Sequence, residues 1–215
     1  MPLFQAEDKI FGNLAVPSDR CVAPLVGYGS NGANALMINS SYVSFTPIYT
    51  NVPKVITTLQ FIVTTAASAT GTPSIQIAMY NCRPNQLAPS TRIENTFTTG
   101  IVATTTGVKT VTFSPTWVLP KGITFFSIHV KATSSNNTCN MRGFDGVGRE
   151  GALLGSIGAG FDGTNPTNQF AQAGVPYIII GENTDLSSDY SSTSITYNVT
   201  GTNRVDTSYA GVFLK

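Results

Sequence analysis

A chain of 215 residues, 41% apolar but only 11% charged against the roughly 25% usual for globular proteins, has the mass for one large β domain or a medium domain with an appendage. Twelve basic and eleven acidic side chains leave a formal net charge of +1 with no Lys/Arg cluster, which excludes a phosphate-tracking nucleic-acid surface. No apolar run is long enough to span a bilayer as a helix, and MPLFQAEDKIFGNLAVPSDR lacks the basic and apolar regions of a secretory signal, so the expectation is a soluble chain made in a cytoplasm.

Residues 1–40 predict an extended arm. Leu3, Phe4, Ile10, Phe11, Leu14 and Val16 form irregular apolar clusters broken by Pro17, Pro24 and a Gly/Asn/Ala stretch, and no helical or strand period persists. Bulky apolar residues on an arm need a surface, either the arm's own domain or a neighbouring subunit. Phe4, Ile10, Phe11 and Leu14 are the candidate assembly contacts.

Residues 41–215 predict an antiparallel β-sandwich, jelly-roll-like, in an all-β fold. Thr, Ser, Asn and Gly fill the polar positions, as short strands and turns require. Tyr42–Tyr49 reads as an edge or lead-in strand because it contains Pro47. Val55–Thr65 and Ser74–Tyr80 then read as a hairpin, with Val55, Leu59, Phe61 and Val63 on one face of the first strand and Ile75, Ile77 and Met79 on one face of the second. Strands follow at Ile93–Val102 and Lys109–Phe113. In ITFFSIHVKAT, Phe126, Ile128 and Val130 face the core, while Ser127, His129 and Lys131 face solvent. A spacing of about 8 to 15 residues with turn punctuation is that of a sandwich or jelly roll. A Gly-rich insertion occupies about residues 143–174, with Gly-Phe-Asp-Gly at Gly143–Gly146 and Gly160–Gly163. Such a long loop points to a contact surface. VPYIII at 175–180 predicts a strand buried on both faces. Residues 184–193 read as polar, and Ser194–Val199 and Tyr209–Leu214 as closing strands.

The chemistry-bearing residues are sparse. His129 is the single histidine, on the polar parity of a strand and without a G-x-S-x-G elbow, so a catalytic triad is not expected. Asp145, Glu150, Asp162, Glu182 and Asp185 lie mostly beside Gly or Asn, as turn residues do, rather than as a glycosidase pair. Gly146–Gly151 matches G-x-G-x-x-G by letter but lacks the strand and helix that give the motif meaning. Calcium would draw on Asp145, Asp162 and Asn165, but with no D-x-[DN]-x-[DN]-G run two Asp-Gly turns are the preferred reading. Cys21, Cys82 and Cys139 have neither zinc nor disulfide-scaffold spacing and read as reduced thiols. No metal or cofactor is expected. The candidate surface or ligand contacts are Trp117, Asp145, Phe161 and Asp162, with Tyr80, Tyr190 and Tyr197 as further platforms for a sugar ring. A core lid is the preferred role for Trp117.

The order YVSFTPIYTNVP, a β run ending VTTA, IAMY, then TTGVKTVTF and WVLPKGITFFSIHV resembles the β-sandwich modules of bacteriophage tail fibres and related receptor-binding virion proteins, over about Tyr42 to Ile180. The resemblance implies a non-enzymatic, oligomeric module, commonly trimeric, attached to a particle by its N-terminal part. The expected function is a virion protein, a short tail fibre or tail-associated adhesion protein. Its expected partners are other copies of itself, tail or capsid proteins, and a host-surface glycan. A capsid decoration or cement protein is the alternative, and a carbohydrate-binding or carbohydrate-active module a further one.

Overall fold

The computed structural model describes residues 35–50, 52–133, 137–145, 176–181, 183–197, 208–210 and 212–215. Phe4, Ile10, Phe11, Leu14, Cys21, Phe161 and Asp162 lie outside them, as does most of the Gly-rich insertion. The described chain is all-β, without a helix, and every ladder is antiparallel.

Two sheets make a sandwich-like fold. The outer sheet holds β1 (Ala35–Asn39), β3 (Lys54–Thr65), β7 (Gly107–Leu119), β9 (Thr138–Asp145), β12 (Ser208–Ala210) and β13 (Phe213–Leu214). The central sheet runs β11 (Thr196–Tyr197), β10 (Pro176–Ile179), β2 (Tyr42–Thr50), β8 (Gly122–Lys131), β4 (Ser74–Arg83), β5 (Gln86–Arg92), with β6 (Thr98–Val102) also on β4. β1 enters the outer sheet by pairing with β9, so residues 35–39, expected to belong to the arm, form a strand instead.

The expected hairpin of β3 and β4 is not formed. β3 pairs with β7, β9 and β13, and β4 pairs with β5, β6 and β8, so the two strands face each other across the core from opposite sheets. Each has an apolar face, and both are satisfied by the same interior: Leu59, Phe61 and Val63 meet a cluster that includes Ile75, Ile77 and Met79. Each such side chain removed from water contributes about 1.5–3 kcal/mol, and the ladder hydrogen bonds the two strands do not make with each other are made instead with β7 and β8. The parity of β3 also differs from expectation at its start. The register jumps between Ile56↔Trp117 and Thr58↔Thr112, a bulge that sets Ile56 inward and leaves Val55 62% exposed. The same irregularity leaves Phe113–Thr116 without partners in the ladder, so β7 continues through Pro115 as one strand.

The central sheet is buried on both faces, which alternation alone did not reveal. Along β2, β4 and β8 the burial is continuous, whereas β3 and β7 alternate. One face of the central sheet closes the main core; the other carries Val43, Phe45, Ala78, Tyr80 and Phe125 against Leu186 and Tyr190 of the segment 183–197. That segment, expected to be merely polar, is a third layer. Pro47 sits within β2, yet β10 pairs only with Tyr42–Ser44, so among the described residues β2 has β8 alone beside it at Pro47 and its missing N–H breaks no second ladder. β10 also departs from expectation: Ile178 is buried but Ile179 is 70% exposed. Residues 81–90, which lie between two of the expected strands, are largely β4 and β5, with Ala88 buried.

Neither Cys82 nor Cys139 is in a disulfide. Burial pushes the Cys139 thiol up to about 12, only partly offset by Lys109, and burial also raises Cys82, which is half-buried. Thiolate is the reactive form. Site-resolved alkylation of the native protein at about pH 8 is therefore expected to spare Cys139 and to modify it once the chain is unfolded in denaturant. Rapid native labelling of Cys139 would contradict its place in the core.

Candidate functional site

Titratable side chains gather where the segment 183–193 crosses the central sheet. Alternation along β8 turns Ser127 and His129 away from the main core, and on β4 it does the same for Gln76 and Tyr80. His129 is fully buried, contrary to its expected solvent-facing position, because the segment covers it. Its Nδ1 lies 3.3 Å from the Tyr42 carbonyl oxygen and its Nε2 3.2 Å from that of Thr184. Lys131 donates to Asp185 at 2.8 Å, Gln76 donates to the same carboxylate oxygen, and the Leu186 N–H donates to Gln76 Oε1 at 3.1 Å.

Two arginines extend the clamp. Arg83 Nη2 donates to the carbonyl of Tyr190 and, at 2.7 Å, to that of Thr193, while its Nε donates to that of Pro89 at 3.0 Å. Arg92 Nη1 donates to the Leu186 carbonyl at 3.1 Å and lies over the Phe97 ring at 4.8 Å. The Tyr80 hydroxyl donates to the Ser187 carbonyl at 2.6 Å, and the Ser187 N–H donates to the Tyr190 hydroxyl at 3.1 Å. Burial raises the pKa of both tyrosines, keeping these hydroxyls protonated. The Ser127 hydroxyl donates to the Ala78 carbonyl at 3.1 Å, so Ser127, like His129, is engaged by backbone carbonyls. What this cluster does is fasten backbone to sheet. Among the described residues no three of His, Cys, Asp and Glu stand close enough to hold a metal ion.

The Lys131 ammonium, with Gln76, holds the Asp185 carboxyl below the usual carboxylate range. A depressed pKa in the folded state means stability that is present above the unfolded value of about 3.9 and is lost as the pH falls through the folded value. The carboxylate is solvent-screened, so the contribution is at most about 1 kcal/mol. Wild type and Asp185→Asn are expected to differ in thermal midpoint at about pH 6, and the difference should shrink as the pH falls below the usual carboxylate range. A difference that persists unchanged into acid would show that the charge plays no part.

The sequence-nominated ligand residues are not brought together. Trp117 is 1% exposed and stacks on Phe113 with ring centroids 3.7 Å apart, so it is the core lid and not a surface contact. Tyr80 and Tyr190 are buried with Phe45 in edge-on and tilted contacts at 5.1–5.8 Å, which removes them as sugar platforms. The Asp145 backbone pairs with Ser208 at the end of β9.

Two surfaces remain that the motifs did not indicate. The exposed side of the β3–β7 pair is a neutral ladder: Val55 opposite Val118, Gln60 opposite Thr110, and Ile62 opposite Val108, with Gln60 Nε2 donating to Thr110 Oγ1 at 3.1 Å; farther across the same sheet, β9 carries the exposed Arg142. Beside it, a groove of about 540 Å³ opens between β6 and β7, lined by residues 98–102, Thr105 and residues 108–112. The strict alternation of β3 and β7 was the signal for the first; the second depends on which strands end up unpaired, which a local pattern does not encode.

No protein-family model, curated protein or solved structure matches the chain.

Proposed function

We propose that this chain is a virion structural protein, a short tail fibre or tail-associated adhesion protein, non-enzymatic and homo-oligomeric, with a trimer favoured. Its N-terminal arm docks it on the tail, and the sandwich presents a surface to the host. The observation that carries this reading is the neutral Thr/Val/Gln face of β3 and β7 in the outer sheet, backed by two packed layers. Centres of protein interfaces are depleted in charge and tolerate exposed aliphatics, and Val55 and Val118 on this face are both more than half exposed. The clustered titratable groups support it as well, because their bonds to backbone and to one another hold the third layer in place. With Trp117, Tyr80 and Tyr190 inside the protein, glycan recognition falls to other residues.

Deletion of residues 2–34, which spares β1, is expected to leave a folded β domain that no longer joins the particle. Retained incorporation would overturn the docking role, and incorporation on the head rather than the tail would select a cement protein instead.

A further inference from the structure

Among the described residues β7 pairs only with β3 and β6 only with β4, so each presents a free strand edge. These two edges, one from each sheet, flank the 540 Å³ groove. Its inner side is made by Ile101 and Val111, half-buried against the core, and its rim by Val102 and Val108, both more than half exposed. Among the described residues Lys109 is its sole charged lining residue, donating to Thr105 Oγ1 at 2.6 Å. A free edge offers main-chain hydrogen bonds to an extended segment, apolar rim positions take alternate side chains, and the ammonium selects a carboxylate.

We propose that the groove receives the N-terminal arm of a second copy of this chain, with Leu3–Leu14 lying as an added strand and Glu7 or Asp8 meeting Lys109. The chain itself supplies the matching chemistry: LFQAEDKIFGNL places two adjacent carboxylates between Leu3, Phe4 and Ile10, Phe11. Length permits it, since the 34 residues before Ala35 reach about 110 Å when extended. Topology favours a neighbour. Among the described residues β1, which follows the arm in sequence, pairs only with β9 and forms one edge of the outer sheet, whereas β7 forms the opposite edge. An arm leaving one edge and received at the other makes a head-to-tail contact, the kind that builds a ring such as a trimer when its rotation closes. This rests on the arm being an assembly element, as in the proposed function, but names a different surface for it.

The test is sedimentation of the full chain. Wild type is expected to associate at micromolar concentration; Lys109→Glu, and separately Glu7→Lys with Asp8→Lys, should each raise the dissociation constant at least about tenfold. Combining all three restores association to within about threefold of wild type, which a merely misfolded variant would not do. A wild type that stays monomeric to about 100 μM, an oligomer indifferent to Lys109→Glu, or a failed rescue overturns the proposal. If the oligomer is indifferent to Lys109→Glu while deletion of residues 2–34 still blocks incorporation, the docking role stands and the groove assignment falls.

Discussion

Replacing Trp117 with alanine is expected to lower the unfolding free energy by about 3–5 kcal/mol, the range for emptying a buried aromatic site. The indole is 1% exposed, stacked within 15° of parallel on Phe113, and part of the core shared by both sheets. Its partner in β3, Ile56, is itself buried by the bulge, so little can move in to fill the space. The adjacent Val118→Thr, on the solvent side of the same strand, should change stability by no more than about 0.5 kcal/mol. Denaturant unfolding of the two variants reads the contrast directly. A Trp117→Ala loss below about 1 kcal/mol would return Trp117 to the surface and with it the sugar-stacking alternative.

The second large effect belongs to the third layer. Tyr190→Ala should cost about 3 kcal/mol or more, because the ring packs on Phe45 and Tyr80 while its hydroxyl accepts the Ser187 N–H. Tyr80→Phe removes the hydroxyl bond to the Ser187 carbonyl and should cost less, about 1–2 kcal/mol. If the segment 183–193 leaves the sheet as a unit, Tyr190→Ala and Arg83→Met will be less than additive, since both release the same backbone. Amide exchange should then accelerate in 184–193 and in β8 around His129 while β3 and β7 remain protected. Uniform acceleration throughout the chain would mean that the segment is no separate layer.

The sequence made the strands legible wherever apolar residues recurred at every second position. Alternation in β3, β4 and β8 assigned Leu59, Phe61, Ile75, Ile77, Phe126 and Ile128 to the core correctly. What it did not carry was partnership. Chain adjacency suggested a β3–β4 hairpin, but a period-2 pattern specifies which side is buried and is silent on which sheet buries it. The same limit explains His129 and Gln76: polar residues on a strand read as solvent-facing until a distant segment arrives with carbonyls and a carboxylate to satisfy them. Val55 failed for a local reason, the bulge beside it. Of the nominated contacts, Trp117 was visible as an important aromatic, but its stacking on Phe113 depends on the irregularity at Phe113–Thr116, which no composition rule signals. The groove was the least legible feature, because free edges are a property of the finished topology.

The proposed assembly role is tested most directly by imaging purified virions that carry the protein with a C-terminal density label. Label is expected on the tail, in a ring of copies joined arm to groove. Particles without the label, or label confined to the head, would contradict it.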